Sequence, residues 1–111
     1  MVQYKSIDRT FSALGDPTRR AALERLAGGS ATVSELARPA GISLTGMKKH
    51  LRVLEEAGLV RSEKVGRSRR CELRPARLDQ ARAWIDEYRQ MVEGRFDRIE
   101  ALLDETKGDP S

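Results

Sequence analysis

The first half of the chain carries apolar residues at helical spacing and predicts four short helices. Ile7, Phe11 and Leu14 recur three or four residues apart and predict the first helix, over about residues 5–14. Each of the next three helices follows a residue type that caps helix N-termini, and these predicted caps are Asp16 before Pro17, Thr32 and Ser43. The fourth helix is expected to run to about Ala57.

A β-hairpin and one long helix complete the pattern. Two runs at about 60–65 and 69–74 flank a turn signal at 66–68 and predict the hairpin. From 78 to about 105 apolar residues repeat at steps of seven, which predicts one helix about 40 Å long. The last residues, 106–111, are expected to form a frayed tail.

This order of elements predicts a mainly α-helical fold with a small β-hairpin, the winged helix-turn-helix. Residues 1–77 are the expected winged helix-turn-helix domain. The long helix, residues 78–105, is expected to pack on that same domain, with the tail following it.

The fourth helix has two chemically different faces. Met47, Leu51 and Leu54 share one side, whereas the opposite side is cationic and hydrogen-bonding. The residues on that opposite side are Thr45, Lys48, Lys49 and Arg52. A helix of this kind can pack on a core and offer its other face to the major groove of DNA.

The charge is distributed unevenly along the chain. The net charge is +4, but residues 1–77 hold 16 Lys and Arg against 8 Asp and Glu, whereas residues 78–111 hold 5 against 9. The densest cationic stretch runs from Arg61 to Arg77 and is dominated by arginine, which suits phosphate and groove recognition. The first part of the chain is therefore expected to meet a polyanion.

The basic residues have different expected roles. Arg70 lies one strand step from Arg69 and is expected on the opposite face of the hairpin, where it serves the domain. Arg19 and Arg20 are candidates for a flanking phosphate, with an ion pair to Glu24 as the alternative for Arg20.

Composition excludes several classes of protein. Apolar residues make up 39% and charged residues 34% of the chain, and no apolar run approaches the length of a membrane span. Because the N-terminal segment lacks the apolar core of a signal peptide, export is not expected and the cytoplasm is the expected compartment. One cysteine, Cys71, and one histidine, His50, make neither a disulfide nor a metal cage, and we expect Cys71 to be inert and His50 packed or capping. No phosphate loop or nucleophile motif is present, so neither an enzyme nor a cofactor is expected.

Two segments of the sequence, LGDPTRRAAL and KHLRVLEEAGLV, resemble the ArsR family of bacterial winged-helix repressors. The resemblance implies a dimeric, cytoplasmic transcription factor whose recognition helix enters the major groove while the wing touches the backbone or minor groove. Carried onto this sequence, it implies recognition-helix contacts from Ser43, Leu44, Thr45, Gly46, Lys48, Lys49 and Arg52. The corresponding wing residues are Lys64, Gly66, Arg67 and Arg69.

The chain departs from the family pattern at several positions. Leu44 stands where members often carry Gln, and Lys48 and Lys49 stand where they often carry Ser and His. Gln can read adenine through two hydrogen bonds, whereas Leu offers only an apolar contact, for instance to a thymine methyl. The cysteine and histidine clusters through which many members sense metals are missing, so metal sensing is not expected and the sequence assigns no effector ligand.

The apolar stripe of the long helix exceeds what a small domain can cover, so it predicts a homodimer with the first helix joining the interface. The expected interface residues are Ile7, Phe11, Leu78, Ala81, Trp84, Ile85, Tyr88, Val92, Phe96, Ile99 and Leu102. Arg95 interrupts the stripe, which argues against a regular coiled coil. Packing between two copies is preferred to an effector pocket as the role of the aromatic residues.

These features favour a sequence-specific regulator that binds double-stranded DNA, most simply a dimeric repressor on an imperfect inverted repeat with half-sites about one turn apart. Two alternatives remain at this point. One is a protein-interaction module, of which an apolar residue on the recognition helix, Leu44, is the one sign. The other is an architectural protein that binds DNA without sequence preference.

Overall fold

The described part of the chain forms five helices and three strands in the order that the pattern predicts, with one strand added. The computed structural model describes the backbone of residues 2–108 and the side chains of residues 6–105. In chain order the elements are α1 (Val2–Leu14), α2 (Pro17–Ala27), β1 (Ala31–Thr32), α3 (Val33–Ala40), α4 (Leu44–Glu56), β2 (Val60–Val65), β3 (Ser68–Leu73) and α5 (Ala76–Gly108).

The three predicted helix caps are confirmed. The side-chain oxygens of Asp16, Thr32 and Ser43 each accept hydrogen bonds from backbone N–H groups in the first turn of the helix that follows. The donors are Thr18 and Arg19 at 2.8 and 3.1 Å, Glu35 at 3.2 Å and Gly46 at 3.1 Å. Local side-chain chemistry therefore sets where α2, α3 and α4 begin.

Both outer helices are longer than predicted. Helix α1 begins at Val2 instead of near residue 5. Helix α5 begins at Ala76 and continues through Gly108, so the expected tail is helical at 106–108, and 109–111 lie outside the described residues. No proline or glycine interrupts the chain between 95 and 107, and an established helix propagates at little cost.

The predicted two-stranded hairpin is part of a three-stranded antiparallel sheet in the order β1-β3-β2. The added strand pairs Ala31 with Cys71 and Thr32 with Arg70. A two-residue strand is too short to show an alternating pattern, and Thr32 also caps α3. The sequence pattern therefore identified the cap and missed the strand.

The hydrophobic core lies within residues 1–81, and its largest fully buried side chains are those of Met47, Leu54, Leu59, Thr10 and Cys71. Helices α2, α3 and α4 supply most of the remaining core positions. Because Cys71 is fully buried and pairs with both neighbouring strands, β3 is the central strand that joins the sheet to the helices.

Packing divides the chain after Ala81, and residues 82–111 form a second unit. Two residues that the sequence placed in a dimer interface belong instead to the first unit. Leu78 packs against the core, and Ala81 is 4% exposed. Both lie in the first turns of α5, where the domain itself covers the apolar stripe.

The cap of α2 makes a pH prediction. The Arg19 N–H holds the pKa of the Asp16 carboxyl below its ordinary value. Partial desolvation opposes this shift, while the Thr18 N–H and the charges of His50 and Arg19 support it. A carboxyl whose pKa is lowered on folding stabilises the folded state above its unfolded pKa of about 3.9, and this contribution disappears as the pH falls through the folded pKa.

We therefore expect Asp16→Asn, which keeps the cap but does not titrate, to be less stable than the wild type at pH 7, with a difference that shrinks toward pH 2.5. Asp16→Ala should be less stable at every pH because it loses the cap. Urea unfolding across this pH range measures both. A constant difference between wild type and Asp16→Asn would contradict the proposed role of the charge.

Candidate nucleic-acid interface

A tight turn sets the position of α4 relative to α3. Gly41 has a φ of +67°, which places it in the left-handed region that favours glycine. Its N–H donates to the Arg38 carbonyl at 3.1 Å, and the Ile42 N–H donates to the Ala37 carbonyl at 3.4 Å. This pair of bonds ends α3 in a Schellman motif. Ser43 then caps α4, so only three residues separate the two helices.

The two predicted faces of α4 are confirmed. Met47, Leu51 and Leu54 are buried, with 1%, 4% and 0% of their surfaces exposed. On the other side, the exposed residues are Leu44, Thr45, Lys48, Lys49 and Arg52. One helix therefore anchors itself in the core and presents a cationic, hydrogen-bonding surface.

Gly46 lies apart from that exposed surface. It is half-buried, and a methyl group built on it would lie 3.3 Å from Ser43 Oγ and 3.9 Å from Ile42 Cδ1. Its backbone N–H donates to Ser43 Oγ. Gly46 and Ser43 therefore act on each other in the cap at the beginning of α4.

The register of the hairpin sorts its cationic residues onto two faces. Lys64 pairs with Arg69, and Ser62 pairs with the buried Cys71, so these pairs share the face of the sheet that is turned toward the core. Arg70 lies on the opposite face, as the strand alternation predicts, and its Nη1 donates to Ser30 Oγ at 3.0 Å.

The wing, residues 60–73, ends in a tight turn at Gly66 and Arg67. Gly66 has a φ of +62°, and its position as the first central residue of a two-residue hairpin turn explains why glycine stands there. The turn leaves the Arg67 side chain exposed. Strand β3 begins at Ser68, one residue earlier than the pattern predicts.

A concave cleft of about 270 Å³ lies between the beginning of α3, the beginning of α4 and the wing. Its lining residues are Thr32, Val33, Ser34, Leu44, Lys48, Lys64, Arg67, Ser68 and Arg69. Four of them are cationic and none is acidic. Converging positive charge in a concave surface raises the local concentration of anionic ligands.

A chain of hydrogen bonds ties this cleft to the back of α4. Arg69 Nη1 donates to Ser62 Oγ at 3.0 Å, and the Ser62 hydroxyl donates to Glu55 Oε1. The guanidinium is therefore held by both the hairpin and α4. Sequence analysis missed Ser62 and Glu55; the only signal was the position of Ser62 two residues after the apolar Val60.

Arg19 and Arg20 are bound to the protein itself. Arg19 donates to the Ala13 carbonyl at 2.8 Å and the Ser12 carbonyl at 3.2 Å, and lies 3.3 Å from His50 Nδ1. Arg20 donates to the Leu14 carbonyl at 2.7 Å. The expected ion pair to Glu24 is replaced by these bonds, because cations are favoured at the exposed carbonyls that end a helix.

The chemistry of Cys71 fits a structural role. Burial raises the pKa of its thiol, the nearby Glu55 carboxylate adds to this effect, and Arg69 opposes it. A buried thiol that keeps its proton is a poor nucleophile and metal ligand. Among the described residues, no three His, Cys, Asp or Glu side chains come together as a metal site, and no described helix is long and apolar enough to cross a membrane.

Comparison with known proteins places this architecture in a family. Residues 14–63 match the family model of a helix-turn-helix domain. The chain is 42% identical over 88 residues to the HTH-type transcriptional regulator Rv2034 of Mycobacterium tuberculosis, covering 79% of this chain and 82% of that protein. It is 43% identical to the crystal structure of the ArsR family transcriptional regulator RHA00566, with a TM-score of 0.73 and coverage of 82% and 91% of the two chains. The chain belongs to the ArsR family.

Two further relatives extend this assignment. The transcriptional repressor SdpR of Bacillus subtilis is 33% identical over 60 residues, which cover 54% of this chain and 67% of that protein. The homodimeric winged helix-turn-helix DNA-binding domain Mb0332 of Mycobacterium bovis is 26% identical, with a TM-score of 0.62 and coverage of 79% and 86% of the two chains. The resemblance found in the sequence and the winged helix-turn-helix fold are thus confirmed. This ArsR-family chain is a DNA-binding transcriptional regulator.

Proposed function

We propose that this regulator is a dimeric repressor that binds an imperfect inverted repeat in double-stranded DNA. In this proposal α4 enters the major groove, and the wing contacts the backbone or minor groove. The observation that carries the proposal is the cleft in which side chains of α4 and the wing converge with positive charge and no acidic neighbour. The proposal includes no cofactor and no effector ligand.

The first two turns of α4 supply the residues for reading bases. Thr45, Lys48 and Lys49 are exposed close to the N-terminus of the helix, where recognition helices contact base edges. Lysine donates well to guanine O6 and N7, and threonine can donate or accept. Arg52 lies one turn beyond Lys48 on the same exposed side, and we assign it to a phosphate. Ser43 and Gly46 hold the start of the helix in place.

The wing supplies contacts that do not depend on sequence. Arg67 is exposed at the tip, and Lys64 and Arg69 pair across the hairpin on the cleft side. Ser62 limits the freedom of the Arg69 guanidinium, so less conformational entropy is lost when it meets a phosphate.

Binding of a selected operator and of a scrambled duplex, each titrated at two salt concentrations, tests the function. Fragments recovered from cells supply the operator. A large specificity ratio is expected; equal affinity for both duplexes would indicate an architectural protein, and no binding to either would indicate a protein-interaction module.

We expect Lys49→Ala to weaken binding to the operator by about 1–3 kcal/mol, with a smaller loss on scrambled DNA, because a lost base contact affects only the matching sequence. Arg82→Ala is the matched control, since that side chain is 81% exposed on α5, away from the cleft residues in sequence. Fluorescence anisotropy on both duplexes measures the effect. Equal losses on the two duplexes would assign Lys49 to the backbone.

Arg67→Ala is expected to weaken binding to every sequence and to reduce the slope of log affinity against log salt by about one unit, because one phosphate contact is lost. Arg70→Ala removes the same charge from the opposite face of the same hairpin and should leave the slope nearly unchanged. Titrations at four salt concentrations distinguish the two variants. Identical slopes for Arg67→Ala and the wild type would refute the phosphate contact.

The unit formed by residues 82–111 supports the dimer. Large apolar side chains at helical spacing are half or more exposed, and these are Tyr88, Met91, Phe96, Ile99, Leu102 and Leu103. The Trp84 and Tyr88 rings stack with centroids 5.5 Å apart. The opposite side of the helix is charged and carries the ion pairs Arg82–Asp86 and Arg89–Glu93.

A contiguous apolar stripe beside a charged face is typical of a helix that packs on a second copy of the chain. The proposed interface also includes Ile85 and Val92 of α5 and Ile7 and Phe11 of α1. Leu78 and Ala81 are not part of it, because the first unit already buries them.

We expect Ile99→Glu to convert the dimer into a chain of 12.4 kDa in solution, because it places a charge in the apolar stripe. Ala101→Glu places the same charge on the exposed opposite side of the helix and should leave the dimer intact. Sedimentation or light scattering measures the mass of both variants. A wild type that sediments as a single chain, or a dimer that survives Ile99→Glu, would contradict the proposed interface.

A further inference from the structure

Leu44 differs from the other large apolar residues of α4. Its side chain is 48% exposed in the first turn of the helix, whereas Met47, Leu51 and Leu54 are buried. It lies in the cleft among Lys48, Arg67 and Arg69, and it has no hydrogen-bonding group to match theirs. The core does not need Leu44, and its exposure places apolar surface where the protein otherwise offers charge.

The position of Leu44 limits what it can meet. Leu44 and Lys48 are four residues apart, so they are neighbours on one side of the helix, and both line the cleft. If α4 enters the major groove, side chains of its first turns reach the edges of the bases. The apolar group that those edges present is the C5-methyl of thymine; the other major-groove groups of the four bases are hydrogen-bond donors and acceptors.

The energetics favour thymine over the other bases. Packing leucine against a methyl group removes apolar surface of both partners from water. Against cytosine, adenine or guanine, the same side chain would cover polar base atoms and leave them without a hydrogen bond. Leu44 therefore both attracts one base and rejects the others, which is how a single contact produces specificity.

We propose that Leu44 is a specificity-determining residue that packs against the methyl group of one thymine in each half-site. The inference rests on the proposed function, because it requires α4 to lie in the major groove. It differs from the assignment of the lysines and threonine, whose contacts are hydrogen bonds.

Replacement of single thymines by deoxyuridine tests the proposal, because it removes only the methyl group and keeps base pairing. With the selected operator as the probe, each thymine of a half-site is replaced in turn, and the Kd is measured for the wild type, Leu44→Ala and Leu44→Met. We expect one position at which deoxyuridine weakens wild-type binding about fourfold, the effect of exposing one methyl group. Leu44→Met should keep this sensitivity, whereas Leu44→Ala should lose it.

The outcomes separate this inference from the function on which it rests. If the wild type discriminates the operator from scrambled DNA but is insensitive to deoxyuridine at every thymine, the Leu44 assignment is wrong and the regulator function stands. If Leu44→Ala keeps the sensitivity, another residue reads the methyl group and the assignment is again wrong. If the wild type does not discriminate the two duplexes, both the function and the inference fail. Because Leu44 is exposed, Leu44→Ala should unfold at the wild-type temperature, which thermal denaturation checks.

Discussion

The burial of one face of α4 is the constraint on which the other features of the first unit depend. Met47, Leu51 and Leu54 fix the rotation of the helix about its axis, since turning it would expose them to water. With that rotation fixed, the same periodicity determines which residues point outward. The position of the lysines is thus a consequence of where the methionine and leucines must go. A regulator built in this way can vary its outward residues freely while the inward ones maintain the fold.

Electrostatics of the wing follow from the same kind of geometric division. On the outer face, Arg61 lies within 3.9 Å of both Glu63 and Glu72, and Arg70 bonds Ser30, so these cations have partners in the protein. On the cleft side, Lys64 and Arg69 have no acidic neighbour among the lining residues. A hairpin with seven cationic residues between 61 and 77 therefore directs the uncompensated part of its charge to one side. The alternation of side chains along a strand is sufficient to produce this separation.

Most of the architecture was predictable because it is encoded in local patterns. Asp16, Thr32 and Ser43 are side chains whose chemistry stops or starts a helix without help from distant residues. The missed features depend on contacts between segments remote in sequence. Strand β1 exists because Ala31 and Thr32 meet Cys71 and Arg70, some forty residues later.

The same distinction applies to the candidate site. The exposed face of α4 follows from its periodicity, but the bonds of Arg69 to Ser62 and of Arg19 to the end of α1 follow from tertiary packing. Leu78 and Ala81 show the converse limit of a periodic pattern. A stripe identifies which residues seek cover, and only the fold decides whether the domain or a second chain covers them.

Thr32 belongs to two elements at once, as the last residue of β1 and the cap of α3. The sheet and the helix pair consequently share a residue, with no spacer between them. Evolution can lengthen the wing at its exposed tip without moving α4, but an insertion at residue 32 would change the distance between the wing and the helix pair. Among homologous chains, length variation should therefore accumulate at the hairpin tip and be rare at the junction of β1 and α3.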